Sequence, residues 1–204
     1  MHTTEQERFW AGEFGTEYLA RNAGEALIAA NTALFARILA HTHRVESVLE
    51  LGANIGLNLM ALRALLPDAR LEGVEINKTA FDVLTKIPRV HAHHASLFGF
   101  RCDPVDFAFT KGVLIHIDPQ KIDEAYDVLY NTSRRYLCVA EYYNPTPIEI
   151  PYRGHGERLF KRDWCADLSQ RFRDLRLIDY GFVYHGDTFA LDDITWFLME
   201  KVTL

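Results

Sequence analysis

An α/β domain built on a mostly parallel sheet is the fold this sequence predicts, and three observations carry it. Val48-Leu49-Glu50-Leu51 is an apolar strand that breaks into Gly52-Ala53-Asn54-Ile55-Gly56 and then into a helical pattern, the strand–turn–helix step of a parallel sheet. Further on, Leu71-Glu72-Gly73-Val74-Glu75-Ile76-Asn77 reads as a second strand that ends in an acidic residue. Near the end of the chain, Leu175-Arg176-Leu177-Ile178-Asp179-Tyr180 and Ile194-Thr195-Trp196-Phe197-Leu198-Met199 are two strands without a good helix between them, so they pair antiparallel.

The elements follow in order. Glu5 to Ala40 is helical in pattern, with apolar faces supplied by Phe9, Trp10, Tyr18 and Leu19 and then by Leu27, Ile28, Leu34, Phe35, Ile38 and Leu39. This region, taken as residues 1–44, serves either as a lid over the open end of the sheet or as packing against a sheet face. Gly52 and Gly56 lack a Cβ and let the backbone turn sharply and approach a ligand. Asn54 is expected to cap the next helix, whose apolar face is Leu57, Met60, Ala61, Ala64 and Leu65 and which Pro67 stops. Asn77 caps a short helix containing Ala80, Phe81, Val83 and Leu84, and Val90-His91-Ala92-His93-His94-Ala95 is the third strand. Val105 to Thr110 is the fourth, followed by Lys111-Gly112 and Val113-Leu114-Ile115-His116-Ile117. Asp118 then caps and Pro119 starts a helix with Ile122, Ala125, Tyr126 and Leu129 on one face. Tyr136-Leu137-Cys138-Val139-Ala140 is apolar almost throughout, as a central strand covered on both sides must be.

Composition narrows the class. A chain of 204 residues suits one domain, residues 1–204, with a full core. With 49% hydrophobic and 25% charged residues it reads as soluble, and no apolar run approaches the ~20 residues of a membrane span. The polar start Met1-His2-Thr3-Thr4-Glu5-Gln6-Glu7 is no secretory signal, so a cytoplasmic location is expected. Cys102, Cys138 and Cys165 are odd in number and far apart, which points to reduced thiols. A net charge of −6 disfavours nucleic acid and membrane surfaces as partners, and a small molecule is expected instead. Strand alternation puts His91 and His93 on one face and His94 on the other, and no carboxylate lies close in sequence, so no metal is expected.

Two cofactor classes use a glycine bend of this kind. A dinucleotide needs glycines spaced G-x-G-x-x-G so that its pyrophosphate can lie on the helix N-terminus. Here the spacing is Gly52-x-Asn54-x-Gly56-x-Asn58, and the asparagines suit S-adenosylmethionine, which has no phosphate. Glu75 is placed to accept from ribose hydroxyls.

The chain resembles the class I methyltransferases and, more closely, the pseudaminic acid biosynthesis-associated methylases. The likeness is carried by Glu5 to Gly15, by Glu50 to Asn58, by Gly73-Val74-Glu75-Ile76-Asn77, by Phe109 to Ile117, and by Glu141-Tyr142-Tyr143-Asn144-Pro145-Thr146-Pro147 continuing through Ile150 to His155. It implies a Rossmann-like fold with a mostly parallel seven-stranded sheet, a C-terminal antiparallel hairpin and an N-terminal helical lid. It also implies S-adenosylmethionine at the carboxyl edge of that sheet and a genomic link to nonulosonic acid sugars. On this reading Trp10, Tyr18, Arg21, Glu50, Gly52, Ala53, Asn54, Gly56, Asn58, Glu75, Ile76, Ser96, Leu97, Lys111 and Gly112 hold the cofactor.

Methyl transfer is a direct displacement, so positioning supplies much of the rate and a base helps when the acceptor must lose a proton. His116, beyond the fourth strand, ranks first as base or orienter, with Tyr143 and His155 as further catalytic candidates. Residues 143–165 are expected to form an acceptor-pocket insertion, and Tyr142 just before it, with Asn144, Tyr152 and Arg153 within it, is expected to touch the acceptor. Arginine's planar fork matches carboxylates, so an acidic sugar or sugar nucleotide suits this segment. Arg158, Lys161 and Arg162 read as the solvated face of a helix whose buried side is Leu159, Phe160, Trp164 and Leu168. Competing functions are a non-catalytic cofactor-binding partner in glycan assembly and a nicotinamide-dependent oxidoreductase.

Overall fold

A computed structural model describes residues 4–19, 24–152, 156 and 158–202. Helices α1 (Glu5–Ala11), α2 (Glu13–Leu19) and α3 (Glu25–Leu39) lead into β1 (Ser47–Leu51), α4 (Leu57–Leu65), β2 (Arg70–Glu75), α5 (Lys78–Leu84) and β3 (Val90–His94). Then come β4 (Val105–Lys111), a 3-10 turn at Leu114–His116, α6 (Ile122–Thr132), β5 (Ser133–Glu141), β6 (Ile148–Glu149), β7 (Phe160–Lys161), α7 (Trp164–Arg171), β8 (Leu175–Val183) and β9 (Ile194–Lys201). Seven strands form one sheet in the order β3-β2-β1-β4-β5-β9-β8. The first five run parallel and β9 is antiparallel to both β5 and β8. No helix among the described residues is long and apolar enough to cross a membrane.

Apolar layers cover both sheet faces. Phe35, Ile38, Leu59, Leu62, Phe107, Phe109 and Trp196 fill one side, and Leu49, Leu51, Tyr126, Leu129, Leu137, Trp164 and Met199 fill the other. Strand β1 is buried along its whole length, which is why Val48 to Leu51 shows no alternation. Helix α3 packs on the first face beside α4, while α1 and α2 sit at the carboxyl edge of the parallel strands.

Four local expectations are corrected. Helix α4 starts from Gly56, and Asn54 does not cap it; Asn54 instead takes a left-handed conformation with φ of 49°, which asparagine tolerates better than most residues. The buried face of α4 is Leu59, Ala61 and Leu62, with Met60 and Ala64 outward, because Asn58 reaches back to Glu50 and fixes the helix's rotation. Asp118 and Pro119 close a turn, in which the Asp118 side chain accepts from Gln120 N, and α6 begins only at Ile122. Arg158 to Arg162 is no helix: Phe160 and Lys161 pair with Glu149 and Ile148 as a short hairpin, although Leu159, Trp164 and Leu168 are buried as expected.

Candidate functional site

The strand order reverses between β1 and β4, and ligands of open α/β sheets bind beyond the strand ends at such a point. A cavity of about 600 Å³ lies there. Of the residues expected to hold a cofactor or an acceptor, Trp10, Tyr18, Glu50, Gly52, Ala53, Asn54, Asn58, Glu75, Ile76, Ser96, Leu97, Lys111, Gly112, His116, Tyr142 and Tyr152 line it. Gly56 does not: its φ is 82°, and a Cβ there would meet Ile87 and Leu84, so it packs beneath the bend. Tyr143 and Asn144 also lie off the wall. Tyr143 pairs with Arg162 and sets its ring beside Phe197, and the Asn144 side chain closes a turn onto Thr146 O. Arg21, Arg153 and His155 lie outside the described residues.

Backbone and side chains meet at the β1–α4 bend. Gly52 has a φ of 80°, and a Cβ there would come within 2.5 Å of Val113, so only glycine allows the strand end to pass that close. Glu75 accepts from Asn54 N at 2.7 Å and from Asn77 N at 2.6 Å, which locks the bend to the end of β2. Each carboxylate oxygen keeps lone pairs for further donors. Glu50 accepts from Asn58 Nδ2 at 2.5 Å, so the asparagine at 58 is a partner for a buried acid. Burial drives the Glu50 carboxyl up to about 8, opposed by Asn58 and by the charge of Lys111. Burial pulls the Lys111 ammonium down, opposed by Glu50, Asp192 and Glu141.

The loop after β4 is held by a second buried acid. Glu141 accepts from the backbone N–H groups of Val113, Leu114 and Ile115, at 3.0, 3.1 and 3.4 Å, and burial still raises it to about 7. This loop carries His116 into an aromatic wall, 4.5 Å from the Trp10 ring and 5.0 Å from the Tyr152 ring between centroids. Burial lowers the imidazole to about 4. Its Nδ1 lies 2.6 Å from the Arg158 carbonyl oxygen. A carbonyl only accepts, so Nδ1 carries the hydrogen and Nε2 keeps a lone pair.

Helices α1 and α2 are tied down over the opening. Asn77 Nδ2 donates to Trp10 O and Gly12 O at 3.1 and 3.2 Å, while Asn77 Oδ1 caps α5 by accepting from Ala80 N. Ser96 donates to Glu7 and accepts from Phe98 N.

Several wall residues escaped the sequence reading: Asn31 on α3, and His185, Leu191 and Asp192 between β8 and β9. The hairpin itself was the available sign. Because β9 runs antiparallel to β5 and Glu141 faces Thr195, the β8–β9 turn must fall at the carboxyl edge.

Among the described residues, five wall atoms are buried side-chain polar atoms without a hydrogen-bond partner: Trp10 Nε1, Asn31 Oδ1, Glu50 Oε2, Asn54 Oδ1 and Asn58 Oδ1. Four of the five are acceptors, so the cavity asks for a ligand rich in donors or positive charge.

No known family pattern matches the chain, and comparison with curated proteins finds no relative. Solved structures do share the fold, which is the Rossmann-like methyltransferase fold with its C-terminal antiparallel pair. The Burkholderia thailandensis 1,6-didemethyltoxoflavin-N1-methyltransferase, with its substrate and S-adenosylhomocysteine bound, matches with a TM-score of 0.69 at 16% identity over 97% of this chain and 87% of that one. Magnesium protoporphyrin IX methyltransferase from Synechocystis PCC 6803, with S-adenosylmethionine bound, matches with 0.71 at 10% identity over 99% and 100%. A sugar N-methyltransferase from a Streptoalloteichus species matches with 0.67 at 13% identity over 95% and 94%.

Proposed function

We propose that the protein is an S-adenosylmethionine-dependent methyltransferase acting in the cytoplasm on a small, sugar-related acceptor of the nonulosonic acid kind. The observation that carries this reading is the set of buried acceptor atoms on Glu50, Asn54 and Asn58 beside the Glu75 carboxylate. A pyrophosphate only accepts and would meet acceptors there, whereas ribose hydroxyls and a cationic amino-acid tail would find partners. When bound, the cofactor supplies an electrophilic methyl on a sulfonium. Glu75 and Asn54 would receive the ribose hydroxyls, Glu50 and Asn58 would face the cationic end, and Ser96 and Leu97 would border the base.

The chain's part in the reaction is to hold the acceptor in line, to exclude water and to take its proton. Tyr142 and Tyr152 would wall the acceptor side, while Trp10 and Tyr18 in the same wall would cover the cofactor. His116 Nε2 would accept the proton of an acceptor hydroxyl, or that of an acceptor ammonium before its nitrogen can act as nucleophile. Arg153 and His155 are kept as contacts to the acceptor's acidic group, a reading that rests on the family resemblance and on the arginine fork. The sugar N-methyltransferase among the structural neighbours agrees with a sugar acceptor.

Incubation with methyl-labelled S-adenosylmethionine and a panel of acidic sugars and sugar nucleotides tests the proposal. Label is expected in a sugar product. Saturable cofactor binding with no transfer to any member of the panel would refute the acceptor class and favour a non-catalytic role.

A further inference from the structure

The absence of a carboxylate near the histidines holds for β3 alone; the sheet supplies one from β2. Glu72 stands opposite His91 in the parallel register, and strand alternation brings His93 to the same face. One potential ligand atom from each of Glu72, His91 and His93 lies within 4.8 Å of the other two. His93 Nε2 and Glu72 Oε2 lie 2.8 Å apart, within hydrogen-bond distance, and the two imidazole rings lie 4.5 Å apart between centroids. The Glu72 side chain is only 5% exposed. Its Oε1 lies 2.7 Å from Arg70 Nη1 but is not aligned for a hydrogen bond, and the Arg70 side chain is itself 53% exposed. A carboxylate this deeply buried calls for a firmer partner than a guanidinium half in solvent.

We propose that Glu72, His91 and His93 form a binding site for a divalent transition-metal ion, with zinc the best match. Two imidazoles and one carboxylate are a common zinc donor set and leave the fourth position to water, which the exposed edge at His91 admits. Bonds of about 2.0–2.2 Å in a tetrahedron separate ligand atoms by roughly 3.4 Å. The exposed His91 therefore closes inward, and the His93–Glu72 contact opens slightly as His93 takes the tautomer that frees its ligand nitrogen and carries the hydrogen on the other ring nitrogen. Arg70 swings outward.

The site lies on the edge strand, upstream of Glu75 on β2, and its ion does not reach the cavity wall. Its effect is to fasten β3 to β2. The Phe100 ring packs 5.1 Å from the His93 ring, in the segment that follows Ser96 and Leu97, so the fastening also steadies that side of the cavity.

Zinc alone, titrated calorimetrically into chelator-stripped full-length protein free of any histidine tag, tests the assignment in buffers of different ionisation heat. About one ion per chain is expected, with proton release, a raised melting temperature, and binding weakened about tenfold or more in His91→Asn and in His93→Gln. His93→Gln keeps a donor to Glu72, and its metal-free melting curve shows whether it stays folded. No saturable uptake, uptake that both variants retain, or uptake lost in His185→Ala instead would overturn the proposal.

Discussion

At His116, burial between Trp10 and Tyr152 keeps the imidazole neutral while the Arg158 carbonyl selects the tautomer with a free Nε2 lone pair. An Asn in its place lacks the nitrogen lone pair that the proposed function uses as a base but keeps a polar group in the wall. His116→Asn is expected to slow transfer by about a hundredfold or more, at nearly unchanged cofactor affinity. The same residue has a thermodynamic signature. Its folded value is about 4 against an ordinary 6.5, so the unfolded chain binds the proton more readily between those two values. Stability contributed by this group is lost as pH falls through that window, by up to ~3 kcal/mol, and is flat above it. Urea midpoints at about pH 4.5 and about pH 7 should therefore differ less in His116→Asn than in the wild type. An equal difference would remove the buried neutral imidazole from the picture. His116 was legible because it follows an unmistakable apolar strand. Tyr143 was misread because adjacent residues on an extended chain point to opposite sides, so Tyr142 and Tyr143 cannot both face the cavity.

Elements are joined to the site by single side chains that serve two of them at once. Asn77 caps α5 with its oxygen and holds the corner between α1 and α2 with its nitrogen. Two substitutions separate these roles. Asn77→Asp keeps the cap acceptor but sets a carboxylate against the Trp10 and Gly12 carbonyls; Asn77→Ala loses both and costs α5 about 1 kcal/mol for the cap. Hydrogen exchange in residues 5–16 should accelerate in both variants, and in α5 only in the alanine variant. Unchanged exchange in α1 and α2 for Asn77→Asp would show that the helices are held by packing alone. The cap was readable from Asn77 and the apolar pattern behind it. Its second role was not, since the carbonyls it meets lie more than sixty residues earlier in the chain. The same limit hid Asn31, His185 and Asp192, which only the assembled sheet brings beside Glu50 and Lys111. Asn54 shows the converse: its type was noticed, but a positive φ and a cap are alternative uses of asparagine that sequence does not separate.

For the whole molecule, a mostly parallel sheet with an antiparallel ending could be inferred because hydrophobic runs, a glycine bend and a helix-free ending are each local and point to one architecture. The site's sign of charge is the property that emerges only from assembly. Glu50, Glu75 and Glu141 are all brought to the carboxyl edge at exposures below 9%, where burial raises the pKa of each. Of these, Glu50 and Glu75 line the cavity, and a cation bound beside them would favour their charged forms, whereas a pyrophosphate would oppose them. Calorimetric titration of S-adenosylhomocysteine and of NAD into the wild type and Glu75→Gln tests this most directly. The expected result is saturable S-adenosylhomocysteine binding in the micromolar range, weakened about tenfold or more by Glu75→Gln, with no heat from NAD. Binding of NAD in place of S-adenosylhomocysteine, or no binding of either by the folded protein, would contradict it.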